Sequence, residues 1–556
     1  MLLMNLYIAR AYRIMSGRIT LLMTKTALRF IVCSIAAGLT VHAASARRGE
    51  VIELQPTAVN NGFNTIAQQT YSVPRSTGYQ PVNLTPPTMA REFRAAWISS
   101  VGENSWLNGK TGKTSAEQQA ALLAMLDRAQ QLKLNAIIFQ VRPSCDTLYA
   151  SSIEPWSEYL TGVMGRAPKP FYDPLAFVIE EGHKRGLEVH AWFNPYRAHH
   201  ANAKSPIAPN HISRKHPNLV RKYGSYLWLD PGERDVQDYS LRVVMDVVKR
   251  YDIDGVHFDD YFYPYREYAG KDRNGKNIDF PDDPSWKKYG VNTGLSRDDW
   301  RRENVNTFIQ RVQNSIHAAK PWVKFGISPF GIWRPGFPPQ IKGKDSYDEL
   351  YADARKWMQN GWADYFTPQL YWNIENPDQS FPVLLKWWSE QNTQHRHLWP
   401  GLDATKVAPD KWKPDEIAAQ IRYTRQLSSP GQIIWGMKNL MPSSSGLAEK
   451  LQSELYTSPA LVPLTPWLAA SAPTLNRPAL MIVAGKNSVK LGWRQTNATP
   501  VRAWILQRRI NGNWLTDVLP ASRTDCELAG LPEAIAITAV DRLNRTSEAA
   551  AVQWQK

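Results

Sequence analysis

The stretch Gly255-Val-His-Phe-Asp-Asp-Tyr-Phe-Tyr-Pro264 begins as an apolar strand and ends in carboxylates, an imidazole and aromatic rings. Alternation along a strand sends His257, Asp259 and Tyr261 to one face and the two apolar residues of the strand to the other. Two adjacent carboxylates at the end of an apolar strand are costly to bury unless water, a cation or a substrate meets them. The stretch therefore predicts a buried strand whose carboxyl end belongs to a functional site.

On both sides of this stretch, apolar strand patterns alternate with helical ones. The predicted strands are residues 93–101, 136–143, 188–197, 255–264, 324–331, 365–372, 398–405 and 432–440. Helical spacing predicts helices after them, at residues 115–132, 173–185, 235–251, 298–319, 347–359, 382–391, 414–426 and 445–455. Eight strand–helix units within residues 91–456 predict an α/β fold of the (β/α)8, or TIM barrel, type. A doubly wound open sheet is the alternative, but its usual Gly-rich phosphate loop does not follow the first strand.

Residues 1–46 have the composition of a signal or targeting segment. A start at Met23 would give Lys25 and Arg29, then an apolar run at residues 30–41 and small residues suited to cleavage. That run is too short to span a bilayer comfortably, and no later stretch is apolar enough to do so. We therefore expect export to the periplasm, the cell envelope or the outside, with no integral membrane span after signal removal. Residues 47–90, polar and punctuated by proline, are predicted to be a linker or arm.

The C-terminal part of the chain differs from the predicted barrel in composition and periodicity. Residues 457–477 are rich in proline, alanine and serine and are predicted to be a linker. After them, residues 478–556 carry short alternating runs separated by turn residues, which predict an all-β sandwich. This part resembles a fibronectin type III module, with Trp493 at the position of the core tryptophan of that module. Its expected role is spacing or binding.

Net charge and cysteine content limit the binding partners and the bonds that we expect for the chain. Removing residues 1–46 would remove five cations and no anions, so the net charge would fall from +16 to +11. A basic exported chain favours an anionic polymer by long-range attraction. Nucleic acid is disfavoured, because no basic run or binding motif is present. Cys145 and Cys526 fall in different predicted domains and lack metal-type spacing, so we expect neither a disulfide nor a metal site from them. We also expect that the protein uses no cofactor.

The strand ends offer acids, amides, arginine and tryptophan without a Ser–His pairing motif. This mixture fits carbohydrate chemistry better than acyl or phosphoryl transfer. Glycoside hydrolysis needs two carboxyl groups, one that protonates the leaving oxygen and one that acts as nucleophile or activates water. We predict Asp259 as nucleophile or base, Asp260 as acid or hydroxyl ligand, and Asp146 as a further catalytic residue. Glu103 and Asp403 are alternatives for the second carboxyl.

Other strand-end side chains are predicted to bind substrate, because amides, cations and rings suit sugar hydroxyls and sugar faces. They are Gln140, Arg142, Trp192, Asn194, Tyr196, Arg197, His257, Tyr261, Gln369, Tyr371, Trp372, Asp403 and Trp435. Each has a structural alternative, since rings pack in cores and buried acids hold internal cations. A metal held by His257 and Asp259 is another alternative, but the cluster of several histidines typical of metal-dependent hydrolases is missing.

Several motifs follow one another in order along the predicted barrel. They are FRAAWIS (93–99), FQVRPSCDTLY (139–149), PWSEYLTG (155–162), YDPL (172–175), WFNPYR (192–197), GVHFDDYFYP (255–264), ISPFGIW (327–333) and PQLYW (368–372). Together they resemble the glycosyl-hydrolase-like 10 family over residues 90–455. The resemblance implies a (β/α)8 envelope enzyme that acts on peptidoglycan glycan strands. Asp259 and Asp260 match the acidic pair of the family, and their segment also looks like the Asp-Asp strand of barrel hydrolases that cut partly deacetylated polyglucosamine. Asp146 matches the Gly-Asp after the second strand of the family, whereas Cys145 departs from it.

Together these features predict an exported glycoside hydrolase that cuts an amino-sugar polymer, in the first instance peptidoglycan glycan. Two alternatives remain at this point. One is a non-catalytic barrel that binds the wall or another polysaccharide. The other is a hydrolase of a different extracellular polysaccharide.

Overall fold

The computed structural model describes residues 78–107, 109, 112–268, 277–428, 430–442, 445–468 and 473–555. The predicted signal segment and residues 47–77 of the predicted arm lie outside this part of the chain. Within it, no helix is both long enough and apolar enough to cross a membrane.

Parallel strands run through residues 93–435 and coincide with the eight predicted ones. They are Phe93–Ile98, Ala136–Arg142, Glu188–Phe193, Gly255–Phe258, Lys324–Ile327, Tyr365–Phe366, the pair His397–Leu398 and Gly401–Asp403, and Gly431–Trp435. The pair comes from one interrupted segment, of which the first half pairs with the sixth strand and the second half with the eighth. The eighth strand pairs with the first. The sheet therefore curls into a (β/α) barrel, which rules out the open doubly wound sheet.

Helices follow the strands and cover the outside of the barrel. The longer ones are Ser115–Gln131, Pro174–Lys184, Arg234–Arg250, Arg297–Ala319, Ala354–Gln359, Phe381–Gln391 and Pro414–Thr424. Shorter helical segments are Glu158–Thr161, Ile212–Lys215, Asp283–Ser285, Ser346–Glu349 and Leu447–Lys450. A small antiparallel sheet, Arg197–His199, Val220–Tyr223 and Tyr226–Leu229, lies in the connection after the third strand.

Alternation along the fourth strand divides its side chains as predicted. Val256 and Phe258 are fully buried in the large core shared with the helices. His257 points into the barrel, where its Nε2 lies 3.2 Å from Trp97 Nε1. Apolar packing thus fixes the register of the strand, because a slip of one residue would exchange the two faces.

Polar side chains stack along the barrel axis below the carboxyl ends of the strands. His257 Nδ1 lies 3.0 Å from the Tyr365 hydroxyl, which lies 2.8 Å from His190 Nδ1. At the amino end, Lys324 Nζ donates to both Glu188 carboxylate oxygens at 3.1 Å. Burial acts to raise the pKa of Glu188, but the Lys324 charge, the His190 hydrogen bond and the Arg502 charge together outweigh burial and lower that pKa. Burial and the His190 ring lower the pKa of His257 well below its ordinary value, so His257 is neutral.

The C-terminal region forms two antiparallel sheets over a separate core. One sheet contains Ala479–Ala484, Ser488–Arg494 and Asp525–Ala529, and the other contains Ala503–Ile510, Asn513–Pro520, Ala534–Val540 and Ala550–Trp554. Residues from both sheets bury Trp493 between them. Tyr79–Pro81, from the predicted arm, adds an edge strand beside Ala550–Trp554.

This region meets the amino end of the barrel. Asn544 Nδ2 donates to Glu188 Oε1 at 2.9 Å, so the C-terminal region supplies a partner to the buried carboxylate of the barrel. Arg542 pairs with Asp254 at 3.0 Å on the same face. The described part of the predicted linker also contacts the barrel, where Trp467 Nε1 donates to Asp364 Oδ1 at 2.7 Å. The barrel floor is therefore covered by the C-terminal region.

Candidate active site

A cavity of about 300 Å³ opens at the carboxyl ends of the barrel strands. This is the face at which barrel enzymes hold their sites. Seven of the eight strands, or the turns just beyond them, contribute to its wall. The lining residues are Trp97, Ser99, Val101, Gln140, Trp192, Arg197, His200, Asp259, Asp260, Tyr261, Ser328, Gln369, Tyr371 and Trp435.

Asp259 is the more extensively hydrogen-bonded of the two acids. Trp192 Nε1 donates to its Oδ2 at 3.1 Å, and Asn194 Nδ2 lies 3.3 Å from both of its oxygens. The side chain is only 3% exposed. Burial raises its pKa to about 7, and Arg197, which lowers the pKa, only partly opposes the burial. A carboxyl group with this pKa can serve in either protonation state near neutral pH.

Asp260 faces a different set of partners. Its Oδ2 accepts a hydrogen bond from the Tyr265 hydroxyl, and its Oδ1 accepts one from Gln369 Nε2 at 3.1 Å. Gln369 also donates to the backbone carbonyl of Ser328 at 3.0 Å, which fixes the orientation of its amide. Burial raises the pKa of Asp260, and the hydrogen bonds from Tyr265 and Gln369 act against that rise.

Asn194 and Arg197 hold the wall beside Asp259. Asn194 Oδ1 accepts from the backbone N–H of Arg197 at 2.8 Å, while its amide nitrogen faces the acid. Arg197 Nε donates to the carbonyl of Pro143 at 3.1 Å, and the guanidinium lies 4.9 Å from the centre of the Tyr261 ring. The turn after the third strand thus places one amide and one cation next to the acids.

Aromatic rings form the opposite side of the cavity. Trp435 meets Trp97 and Trp192 edge to face, with ring centres 6.1 and 6.0 Å apart. Tyr371 lines the same cavity. Indole faces of this kind pack against the apolar faces of sugars and exclude water from charged groups nearby.

Four predicted site residues lie behind the cavity wall. Asn194 supports the cavity wall through its hydrogen bond to Asp259. His257 supports the wall through Trp97 and Ser328. Tyr196 is fully buried, and its ring centre lies 5.2 Å from that of Phe308 in the outer core. Trp372 packs against Phe330 instead, with ring centres 5.7 Å apart. These residues are not brought to the lining.

Arg142 is also turned away from the cavity. The pairing of the second and third strands slips between Gln140 and Arg142, which aligns Arg142 with the outward-facing Phe193. Its guanidinium then forms a bidentate pair with Glu154, at 2.8 and 2.6 Å. A slip of one residue exchanges the faces of a strand, so Gln140 lines the cavity and Arg142 does not.

The other predicted carboxylates stand apart from Asp259 and Asp260. Asp146 is fully buried, its Oδ1 accepts from the Ser144 N–H at 3.0 Å, and burial raises its pKa to about 7. Asp403 caps a short turn by accepting from Thr405 N and Oγ1 at 3.0 and 2.6 Å. Glu103 is exposed. None of the three lines the cavity.

The cavity is also lined by Trp97, Ser99, Val101, His200 and Ser328, none of which was among the predicted substrate-binding residues. Alternation from Phe93 along the first strand would have found Trp97 and Ser99, because both share its inward face. His200 lies in a connection without periodicity. Burial and the neighbouring Arg197 lower the pKa of His200 to about 4, so it is a neutral donor or acceptor. Tyr265, the partner of Asp260, also carried no periodic signal.

Across the described ranges, no group of three or more His, Cys, Asp or Glu side chains is placed to hold a metal ion. The His257 and Asp259 pair considered from the sequence does not face a common point, since His257 is bonded to Trp97, Ser328 and Tyr365.

Comparison with known proteins gives the chain its family. The model of the family described as Glycosyl hydrolase-like 10 matches residues 92–417. The glycosyl hydrolase YngK of Bacillus subtilis is 43% identical over 396 residues, which are 69% of this chain and 75% of that protein. The glycosyl hydrolase DigH of Escherichia coli is 36% identical over 368 residues, 62% of this chain and 81% of that protein.

A solved structure gives a more distant match. The glycoside hydrolase domain of PgaB (BpsB) from Bordetella bronchiseptica matches with a TM-score of 0.46 and 12% identity, over 66% of this chain and 100% of that one. The family match covers more than half of the chain and includes both acids of the cavity. The chain therefore belongs to the glycosyl hydrolase-like 10 family and is a glycoside hydrolase.

Proposed function

We propose that this glycoside hydrolase is exported and cuts an amino-sugar polymer, namely the glycan strands of peptidoglycan. The observation that carries the proposal is the pair Asp259 and Asp260, which lie side by side in a cavity whose other wall consists of indole rings. Acids supply the proton transfers of glycoside hydrolysis, and aromatic rings hold sugar faces.

The two acids have environments that suit two roles. Asp260, whose pKa burial raises, is the proton donor to the leaving oxygen. Asp259, held by Trp192 and Asn194, stabilises positive charge at the anomeric centre and serves as the nucleophile or base. Two titratable groups whose environments differ can divide acid and base work between them. Arg197 and Gln369 orient sugar hydroxyls beside the acids.

The substrate class is supported by features outside the cavity. A net charge of +11 after removal of residues 1–46 favours the polyanionic cell wall. The signal-like composition of residues 1–46 supports export to the envelope. The motifs of the family add the expectation of a peptidoglycan glycan substrate.

The proposed division of the chain follows from the same considerations. Residues 1–46 are the signal, 47–90 the arm, 91–456 the catalytic barrel, 457–477 the linker and 478–556 a fibronectin type III-like module. The two antiparallel sheets of three and four strands that enclose Trp493 support the last assignment. The contact between Asn544 and Glu188 supports a role for this module in covering the barrel.

Purified protein incubated with glycan strands stripped of their stem peptides tests the proposal. We expect soluble sugar fragments from wild type and a loss of about 10³-fold or more in rate for Asp259→Asn. Asp238→Asn, a change at an exposed carboxylate on an outer helix, is the matched control and should retain full activity. Release of fragments from another extracellular polysaccharide, with none from peptidoglycan glycan, would refute the substrate assignment.

A further inference from the structure

Asp259 and Asp260 occupy one wall of the cavity, because they are neighbours at the end of the fourth strand. In a ring of eight strands, the wall opposite the fourth belongs to the eighth and the first, which contribute Trp435 and Trp97. Within the described lining, the carboxylates are these two alone. The usual glycosidase arrangement instead places its two carboxyl groups on either side of the scissile bond.

The two acids also diverge. Asp259 is bonded on the side of the third strand, through Trp192 at 3.1 Å. Asp260 is bonded on the side of the sixth strand, through Gln369 at 3.1 Å. Each carboxylate is therefore held at its own position along the wall, where it can serve a different atom of one bound sugar.

The aromatic wall forms an apolar recess beside Asp259. Trp192 contributes its ring to this recess and its N–H to the acid, and Trp97 and Trp435 complete it edge to face. Tyr371 lines the recess as well, and its hydroxyl has no hydrogen-bond partner among the described residues. A methyl group attached to an amide would match this surface. The methyl needs an apolar pocket, the amide N–H needs a carboxylate acceptor, and the amide carbonyl needs a hydroxyl donor.

We propose that the nucleophile is supplied by the substrate, as the 2-acetamido group of the sugar whose anomeric bond is cut. This inference rests on the proposed function and adds the chemical class of that sugar. The acetamido methyl lies among Trp97, Trp192 and Trp435. Its N–H donates to Asp259, and its carbonyl oxygen faces the anomeric carbon.

The reaction has two stages, formation of a cyclic intermediate and its hydrolysis. The acetamido oxygen attacks C1, the C1–O bond to the leaving group breaks, and the leaving oxygen takes the proton of Asp260. The positive charge on the cyclic oxazolinium is paired with the Asp259 carboxylate. Water then attacks C1 and gives its proton to Asp260. The ring opens, and the acetamido group and the protonated acid are restored.

Two consequences follow from this route. The cut requires an N-acetylated sugar on the non-reducing side of the bond. The product keeps the anomeric configuration of the substrate, because C1 is inverted twice. A nucleophilic Asp259 would also invert C1 twice, so only the requirement for an N-acetylated sugar separates the two routes. Retention separates both from a single displacement in which Asp259 activates water.

A set of three matched substrates tests the inference on the full-length enzyme. They are denuded glycan strands, the same strands after chemical removal of the N-acetyl groups, and those strands after re-acetylation. We expect a fall of about 100-fold or more in the rate at saturating substrate on removal, because the intramolecular nucleophile is lost. Re-acetylation should restore the rate. N-acetylglucosamine-thiazoline, a stable mimic of the cyclic intermediate, should inhibit competitively and more tightly than N-acetylglucosamine.

The outcomes separate this inference from the proposed function. Equal cleavage of acetylated and de-acetylated strands, or covalent labelling of Asp259 by a 2-deoxy-2-fluoro glycoside, would overturn the acetamido nucleophile and leave the hydrolase assignment standing. Failure to cleave any of the three substrates would overturn the proposed substrate and this inference with it.

Discussion

The indole N–H of Trp192 donates to Oδ2 of Asp259 at 3.1 Å, across the pairing of the third and fourth barrel strands. The contact joins a ring of the aromatic recess to the acid on the neighbouring strand. It favours the ionised carboxylate, which burial disfavours. The position and the protonation of Asp259 therefore depend on the same neighbour.

Trp192→Phe tests this dependence. The change keeps an aromatic ring but removes the donor, so the pKa of Asp259 should rise further. A hydrogen bond to a charged group is worth about 1.5–3 kcal/mol, which corresponds to roughly a 10- to 100-fold loss of kcat/KM. Initial rates on denuded glycan across pH 4–9 provide the measurement. Trp286→Phe, at a ring that packs against Trp300 and does not line the cavity, is the control and should match wild type.

The raised pKa of Asp259 also predicts how stability varies with pH. The folded state keeps its proton up to about pH 7, whereas the unfolded chain releases it near pH 4. Between these values the folded state binds more protons, so this group makes the protein less stable as pH rises. The loss is at most about 4 kcal/mol.

Asp259→Asn should remove that loss. Urea unfolding at pH 4, 5.5 and 7 should show the variant gaining stability relative to wild type as pH rises. Asp146→Asn should likewise reduce the fall in stability between pH 4 and 7, since burial raises the pKa of Asp146 to the same value. Parallel curves for wild type and Asp259→Asn would show that the folded-state pKa is ordinary.

Tyr265→Phe addresses the other acid. Loss of the hydroxyl donor removes a hydrogen bond that favours ionised Asp260, so the pKa of Asp260 should rise. A general acid with a higher pKa stays protonated longer, and the alkaline limb of kcat/KM should move upward by about one pH unit. A shift of the acidic limb alone would assign the proton-donor role to another residue.

At the barrel floor, Lys324→Met keeps the aliphatic stem but removes the charge opposite Glu188. An unpaired buried carboxylate costs about 3–5 kcal/mol, which should appear as a lower urea midpoint. The double variant with Glu188→Gln should recover much of that stability, because the carboxylate that lost its lysine is then replaced by a neutral amide. If both variants are equally destabilised, the ion pair is not the cause.

Much of the barrel was predictable because its signals are local. Val256 and Phe258 alternate with His257, and that period fixes which side of the fourth strand meets the helices. The same rule correctly placed Asp259 and Tyr261 on the cavity. It requires only that the strand be regular.

The predicted positions of site residues were wrong at and beyond the ends of the regular strands. The slip in strand register after Gln140 turns Arg142 toward Glu154, twelve residues further along the chain. The periodicity of the sequence does not predict such a slip. Asp146 looked like a strand-end acid, but the turn that follows carries it into the interior. Pairings such as that of Tyr265 with Asp260 depend on loop conformation, which sequence spacing does not encode.

Through the hydrogen bond from Asn544 to Glu188, the C-terminal region closes the amino end of the barrel. A polypeptide ending at residue 456 would expose this carboxylate and its lysine partner to water. Asp254 would lose Arg542 at the same time. The C-terminal region thus covers the amino end of the barrel as part of one folded unit, and heating should unfold both parts in one transition.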